Sequence, residues 1–300
     1  MIILYKRERI FMIQAKKIIT LVRKIPPHLL DRMLMKKSAQ MLLSNFGHEI
    51  NPERWIFIIG CYNSGTTVLA SMLDRHPSIG GLRTEGAFLT DSLPYPELFG
   101  WPRMWSQCIE EVSVPPEISE ERRAKRIKKH WSLWFPKQVP NLVEKTVSNA
   151  ARMPFLQKFF QPAYFIYIVR NGYAVSAGIK QKANLKRWKN SLYKEYPIEL
   201  CAEQWLRTDQ IVQKDSKDLK NFLQISYEDL TENPHSTMND ITNFLGIEEF
   251  PVEVLKQEWI VHGEKSVISN MNNRSIRRLS GNDKTKIERV CGETLRKYGY

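Results

Sequence analysis

A short loop near residue 60 has the residue types and spacing of a phosphate-binding site. Residues 60–67 read GCYNSGTT, with glycines at the first and sixth positions and a threonine pair at the end. Backbone N–H groups of such a loop bind a phosphate together with the positive end of a following helix. A triphosphate-hydrolysing loop carries Lys and then Ser or Thr after the second glycine, but here Thr66 replaces the lysine and Thr67 keeps the hydroxyl. The pattern predicts a nucleotide that donates another group, unless it is a strand-to-helix turn without a ligand.

The elements that must position this loop are a buried strand before it and a helix after it. Residues 55–59 form a continuous apolar run, and residues 68–73 have helical spacing. Residues 141–144 and 163–169 predict two more strands, and residues 223–230 contain another strand-to-helix turn. Apolar strands that alternate with helices favour a parallel sheet covered on both faces. The sequence therefore predicts an α/β, P-loop-NTPase-like fold of three layers, in which helices flank a central parallel sheet.

Three segments together resemble the sulfotransferase family. Residues 63–67 (NSGTT), between the strand and the helix, resemble its 5′-phosphosulfate-binding loop. Residues 170–172 (RNG), after the strand at 163–169, resemble its 3′-phosphate-binding segment, and residues 223–230 (LQISYEDL) resemble the strand and helix downstream. The resemblance runs from about residue 54 to the end. It is closest to heparan-type and tyrosyl-protein-type members and implies a microbial enzyme. The implied donor is 3′-phosphoadenosine 5′-phosphosulfate (PAPS), which leaves as adenosine 3′,5′-bisphosphate (PAP).

The resemblance implies that the glycine loop binds the 5′ end of the donor. Ser64, Gly65, Thr66 and Thr67 would hold the 5′-phosphate through backbone N–H groups and the two threonine hydroxyls. Asn63 departs from the family, which usually has Lys or Arg immediately before this Ser. An amide offers a hydrogen bond but no charge, so some other cation must act there.

The same resemblance implies that Arg170 binds the 3′-phosphate, because a guanidinium offers paired donors to phosphate oxygens. The family places a Ser eight residues later, where this chain has Gly178. Ser176 is the nearest hydroxyl, so either a backbone shift brings it to the phosphate or Arg170 acts with other groups. Tyr227, expected at the end of a strand, matches a family position near the adenine. The alternative for Tyr227 is a core tyrosine with a satisfied hydroxyl.

Two side chains are candidates for the transfer chemistry itself. Glu85 follows a His-Pro pair in a segment that resembles the heparan-type pattern, whose glutamate activates the acceptor hydroxyl; the alternative is an ion pair with Arg83. Lys145 ends the strand at 141–144 and resembles the lysine that lies at the transfer site of heparan-type enzymes. The alternative for Lys145 is a surface pair with Glu144.

Two basic segments have open roles. Residues 120–134 carry seven basic side chains and form either a solvated helix face or an entrance for an anionic acceptor. The four tryptophans between residues 101 and 134 either wall that entrance or are buried. Arg274 and Ser275, near the C-terminus, could cover the 3′-phosphate.

The net charge of +13 favours anionic partners. Residues 1–50 hold ten basic and three acidic side chains, which predicts a basic helical extension before an α/β domain at residues 51–300. The amphipathic stretch at residues 10–22 packs on that domain or contacts a membrane surface. Its apolar runs are far shorter than the ~20 residues of a membrane span. We therefore expect a cytoplasmic enzyme, with peripheral membrane contact as an option.

Cysteine spacing and metal-ligand patterns limit the function further. The four cysteines form no C-x-x-C pair, which favours a reducing compartment, and no ligand cluster suggests a metal. The expected partners are the nucleotide donor and a hydroxyl acceptor (small molecule, glycan or lipid), with an amine in second place and no nucleic acid. A P-loop kinase using ATP and a non-enzymatic basic anion-binding module are the alternatives. Thr66 and the Arg170 segment argue against the kinase.

Overall fold

The computed structural model describes residues 45–82, 84–113, 120–136, 139–251, 259–261, 264–266 and 268–300. Almost all of the predicted basic extension, and Arg83, lie outside these residues. The boundary at residue 50 and a membrane-surface role therefore stay predictions. None of the helices described for this chain is both long and apolar enough to cross a bilayer.

Strands and helices alternate along the described chain. The strands are β1 (Arg54–Gly60), β2 (Ile79–Gly81), β3 (Asn141–Glu144), β4 (Ala163–Val169), β5 (Phe222–Ser226), β6 (Trp259–Val261) and β7 (Glu264–Ser266). The α-helices are α1 (Thr66–Leu73), α2 (Ile109–Val112), α3 (Glu120–Trp131), α4 (Met153–Phe159), α5 (Gly172–Lys182), α6 (Ile198–Asp215), α7 (Tyr227–Glu232), α8 (Pro234–Leu245), α9 (Asn272–Ile276) and α10 (Gly281–Lys297). Short 3₁₀ turns span Gly86–Leu89, Pro96–Phe99, Trp105–Cys108, Val147–Arg152 and Ser216–Asp218.

The main sheet has five parallel strands in the order β2-β3-β1-β4-β5. After β1 the chain moves to β2 at one edge, and after β4 it moves to β5 at the other. The strand order therefore reverses between β1 and β4, and open α/β sheets bind ligands beyond the carboxyl ends of the strands at such a point. The predicted P-loop-like α/β fold is confirmed, and the glycine loop and Arg170 follow the two strands at the switch.

Alternate residues of the central strands build two separate cores, which makes the fold three-layered. Trp55, Phe57 and Ile59 of β1 pack on the face covered by α3, α4, α5, α6 and α10. Ile56 and Ile58 pack on the opposite face, against α1, α7 and α8. All five side chains are fully buried. The central strands are thereby fixed from both sides, so the loops that follow them are held in place.

The prediction that Tyr227 ends a strand is wrong. The strand ends at Ser226, whose side-chain oxygen accepts a hydrogen bond from the backbone N–H of Asp229 at 2.9 Å. This contact satisfies a free N–H in the first turn of the helix that follows the strand directly. Tyr227 is consequently the first residue of α7.

The fold also shows whether the four tryptophans between residues 101 and 134 wall an entrance or are buried. Trp105 and Trp131 are fully buried, and Trp134 is nearly so. Trp101 is partly buried and stacks on Tyr196 with ring centroids 6.3 Å apart. These rings therefore belong to the core instead of walling an entrance, which is the usual place for large aromatic residues.

Candidate active site

A cavity of about 800 Å³ lies beyond the carboxyl ends of the main sheet. Segments that follow all five strands contribute to its lining. The predicted site residues that line it are Asn63, Gly65, Thr66, Thr67, Glu85, Lys145, Arg170 and Tyr227. Arg274 and Ser275 line it as well. Residues separated by up to about two hundred positions therefore meet in one crevice, as parallel strands allow.

The glycine loop is a tight turn that contains two residues with left-handed backbone. Asn63 and Gly65 both have positive φ, 63° and 95°. Left-handed backbone suits Asn and Gly better than other residues. A Cβ on Gly65 would lie 2.6 Å from Cδ2 of Tyr227, so this close approach also requires glycine. Ser64, between them, is buried, and its Oγ has no hydrogen-bond partner among the described residues.

Arg170 connects the glycine loop to the segments at the other side of the cavity. Its Nη1 donates to the backbone oxygen of Asn63 at 2.6 Å, and its Nε donates to Oδ1 of Asn272 at 2.8 Å. Its guanidinium carbon lies 4.1 Å from the ring centre of Tyr227. Burial lowers the pKa of Arg170, opposed by Tyr227 and Glu228. Its Nη2 is buried without a partner in the described structure, so this cation gains from an anionic ligand.

Ser176 does not line the cavity with the other predicted site residues. It is fully buried within α5, and its hydroxyl donates to the backbone oxygen of Gly172 at 2.7 Å. Such a bond to the preceding turn is common for helical serines. Ser176 is absent from the cavity lining, whereas Gly178, Gln181 and Lys182 of the same helix are present.

Tyr227 combines features of both options that the sequence left open. Its side chain is buried, yet it lines the cavity. Its hydroxyl donates to the backbone oxygen of Ser269 and accepts from the backbone N–H of Met271, both at 3.2 Å. The ring is therefore fixed as a wall between Gly65 and Arg170.

Glu85 and Lys145 form an ion pair inside the cavity. Lys145 Nζ lies 2.9 Å from Oε1 of Glu85, and the side chains are 16% and 23% exposed. The pairing follows from the topology, since the two residues come after the neighbouring strands β2 and β3. Lys145 thus contacts Glu85 where the sequence also allowed a pair with Glu144. A carboxylate held beside an ammonium group can accept a proton from a bound ligand.

A second glutamate, Glu144, fixes the turn that carries Glu85. Its carboxylate accepts from the backbone N–H of Gly86 at 2.8 Å, from Oγ1 of Thr146 at 2.5 Å and from Nδ2 of Asn149 at 2.5 Å. Glu144 is 1% exposed, and burial raises its pKa to about 7. It therefore acts as a structural anchor beneath the Glu85–Lys145 pair.

Sequence reasoning missed several cavity residues. Glu97 and Arg103 come from the irregular stretch between β2 and β3, and Lys182 comes from the end of α5. Burial, together with the nearby Glu85 carboxylate, raises the pKa of Glu97 to about 7. Spacing gave no signal for Glu97 or Arg103, because their segment has no periodicity.

The cysteines and possible metal ligands add two further observations. All four cysteines are unpaired and buried, and burial raises the pKa of each thiol to about 12. Within the described part of the chain, no group of three or more His, Cys, Asp or Glu side chains could hold a metal ion.

The five-stranded parallel sheet, with the glycine loop and the cavity at its switch point, defines an α/β protein with a P-loop-like fold whose loop lacks the usual lysine. Comparison with known families gives the more specific assignment. The model described as "Sulfotransferase family" matches residues 55–251, and the chain belongs to this family.

Individual relatives are distant. Protein-tyrosine sulfotransferase A of Caenorhabditis elegans is 25% identical over 231 residues, covering 74% of this chain and 57% of that protein. Protein-tyrosine sulfotransferase 1 of Danio rerio is 26% identical over 205 residues, covering 64% and 53%. The match thus spans little more than half of either relative. The mouse sulfotransferase SULT7A1 complexed with PAP superimposes with a TM-score of 0.47 at 17% identity, covering 88% of this chain and 91% of that one.

Proposed function

We propose that this chain transfers the sulfuryl group of PAPS to a hydroxyl group of its acceptor, with an amine as the second option. The observation that carries this proposal is that the glycine loop and Arg170 line the same cavity as the Glu85–Lys145 pair. A donor with phosphates at both the 5′ and 3′ positions would meet a separate anion-binding group at each end. The acceptor would then approach from the side of Glu85.

Unsatisfied polar atoms support an anionic donor. Nδ2 of Asn63, Oγ of Ser64 and Nη2 of Arg170 are buried and lack a hydrogen-bond partner among the described residues. Buried donors without partners are costly, so a ligand that accepts hydrogen bonds from these atoms would be stabilised. Asn63, Ser64 and the backbone of the loop would hold the 5′-phosphate, and Arg170 the 3′-phosphate. PAPS would supply the activated sulfuryl group to residues that bind and orient it.

Glu85 and Lys145 would carry the acid–base and charge chemistry. In the proposed step the acceptor oxygen bonds to sulfur, the bond from sulfur to the 5′-phosphate oxygen breaks, and the acceptor proton passes to Glu85. Lys145 would stabilise charge on the sulfuryl oxygens and keep the Glu85 carboxylate in position through their 2.9 Å contact. In-line transfer of this kind depends chiefly on positioning and electrostatic stabilisation.

On the proposed acceptor side, the cavity wall includes an apolar patch. Phe88 and Tyr95 line it, with ring centroids 4.8 Å apart, and Pro96 is adjacent. A hydroxyl on an apolar or aromatic group fits these walls better than a bare sugar. Peptidyl tyrosine, which the names of the relatives specify for those proteins, is therefore the first acceptor to assay, before small phenols, glycans and lipids.

Nucleotide selectivity tests the proposal directly. We expect calorimetric titration to show PAP binding at least about tenfold more tightly than AMP, because a charge-assisted contact to the 3′-phosphate is worth that much. ATP should bind no better than AMP. Preferential binding of ATP with Mg²⁺, followed by phosphate transfer, would support a kinase instead. Salt-sensitive binding of polyanions without nucleotide selectivity would support a non-catalytic module.

Glu97 should make ligand binding depend on pH. Its pKa is raised to about 7, so its carboxyl is neutral below that pH and becomes a second anion in the cavity above it. Wild-type affinity for PAP should therefore fall relative to Glu97→Gln as pH rises from 6 to 8, by about threefold or more. The ratio of the two dissociation constants cancels the titration of PAP itself. A ratio that stays constant over this range would contradict the expected ionisation.

The unpaired cysteines and basic surface bear on where the enzyme works. Four buried thiols without a disulfide support a reducing compartment, and we include a cytoplasmic location in the proposal on that ground. Peripheral contact with a membrane surface would depend on the basic residues before position 45.

A further inference from the structure

The glycine loop carries no cation at the position where the proposed reaction needs one, and the inference below rests on that proposed function. Residues 61–67 contain neither Lys nor Arg, and Asn63 stands immediately before Ser64. When the bond from sulfur to the 5′-phosphate breaks, negative charge grows on the leaving oxygen, which a nearby cation stabilises. Lys145 is already paired with Glu85. A further positive group close to Asn63 would complete the site.

Arg103 reaches the loop at this position from a different part of the chain. Its Nη1 donates to Oδ1 of Asn63 at 3.4 Å, and its guanidinium carbon lies 5.8 Å from the ring centre of Tyr62. A guanidinium has only donors, so the amide oxygen of Asn63 must face it. Nδ2 of Asn63 is thereby left as a buried donor without a partner in the described structure. The pair offers a charge and an N–H on the cavity wall.

The glycine at position 178, where the family pattern has a serine, is consistent with this arrangement. A Cβ at position 178 would lie 2.9 Å from Cγ of Asn63 and 3.0 Å from its Nδ2. Glycine therefore leaves the space in which the Asn63 amide lies against α5. The family pattern has a serine at this position, and its side chain would collide with the Asn63 amide where that amide now lies. Gly178 thus leaves room for the Asn63 amide in the orientation in which its oxygen accepts from Arg103.

The backbone conformation at Arg103 and a contact with Glu97 position this residue. It has a positive φ of 61°, and its N–H donates to Oε1 of Glu97 at 3.4 Å. Its charge also reaches the donor side of the cavity, since burial, and then Arg103 and Arg170, lower the pKa of Lys182. Arg103 therefore adds positive charge to the same cavity that Arg170 and Lys182 line.

We propose that Arg103, oriented by Asn63, supplies the positive charge at the 5′ leaving group in place of a basic residue within the loop. The cation moves to a separate segment of the chain, and Asn63 contributes a hydrogen bond from its Nδ2. Charge that develops on the phosphate oxygen during transfer is stabilised by Arg103, while Lys145 stays with the sulfuryl group and Glu85.

The test compares PAP with PAPS, because the 5′-phosphate carries more charge in the product. At pH 8, above the second pKa of a phosphate ester, PAP has a 5′-dianion, whereas PAPS spreads the charge over phosphate and sulfate. We expect Arg103→Gln to weaken PAP about tenfold and PAPS by less than about threefold, as expected for a lost charged hydrogen bond. Arg103→Lys should keep most of the wild-type difference between PAP affinity and PAPS affinity. Arg289→Gln, an exposed change on α10, should leave both affinities unchanged.

A rescue variant separates a chemical role from a structural one. The double variant, Asn63→Lys combined with Arg103→Gln, returns a cation to the loop. It should restore much of the affinity for PAP relative to PAPS. If Arg103→Gln weakens PAP and PAPS equally, or neither, the assignment is overturned. Failure of the rescue variant, with its fold intact by circular dichroism, would also count against it. These results are distinct from failure of the proposed function, which would appear as wild-type protein that does not prefer PAP over AMP.

Discussion

Glu85→Gln should lower the rate of sulfuryl transfer by about 10²–10⁴-fold, the range expected for loss of a general base. Glutamine keeps the size of the side chain and can still accept a hydrogen bond from Lys145, which lies 2.9 Å from Oε1. It cannot take the acceptor proton. PAP affinity should not fall, because Glu85 is not part of either phosphate-binding group.

The measurement is release of PAP from PAPS with an acceptor that supports wild-type turnover, together with calorimetric PAP binding. Glu288→Gln, which removes a carboxylate from the exposed side of α10, is the matched control and should not change either quantity. Wild-type turnover in Glu85→Gln would remove Glu85 from the role of base. A loss of PAP affinity as large as the loss of rate would show that Glu85 acts in donor binding instead.

Arg170→Ala should remove most of the preference for PAP over AMP, reducing the ratio of their affinities by about tenfold to a hundredfold. The unpartnered Nη2 of Arg170 is the atom available to the 3′-phosphate. AMP binding should also weaken, but less, because Nη1 holds the backbone oxygen of Asn63 in the glycine loop. The ratio, and not the PAP affinity alone, is therefore the informative quantity.

Arg170→Lys provides the control for this prediction. It keeps a positive charge but cannot make the forked contacts to Asn63 and Asn272, so its PAP preference should be intermediate. Titration of wild type and both variants with PAP and AMP gives the comparison. An unchanged ratio in Arg170→Ala would assign the 3′-phosphate to other cavity cations, such as Lys182 or Arg278.

The two central strands, β1 and β4, could be predicted because each is a continuous apolar run, whereas β2 has only three residues, two of them glycine, and was not predicted. Once the strands are parallel, the residues after their carboxyl ends meet at one edge of the sheet, which brings Glu85 and Lys145 together. Tyr227 was misplaced because its strand ends at a capping serine. Ser226 followed three residues later by Asp229 is a capping pattern that could have marked this boundary in the sequence.

The irregular stretch between β2 and β3 could not be predicted in the same way. Glu97 and Arg103 face the cavity because of turns with several prolines and a positive φ. Such turns leave no periodic pattern in the sequence from which the direction of a side chain could be predicted. Ser176 illustrates the converse problem. Its position in the sequence is close to that expected for a phosphate ligand, but helix geometry turns its hydroxyl into the preceding turn.

The Tyr227 ring has a consequence for protein engineering. It limits the side chain allowed at position 65, stacks on Arg170, and anchors the segment at 269–271 through its hydroxyl. Four stretches that are far apart in sequence therefore share one aromatic group. A chimera that imports the nucleotide specificity of another family member would have to exchange these stretches as a set, because any one of them alone would meet a partner of the wrong shape.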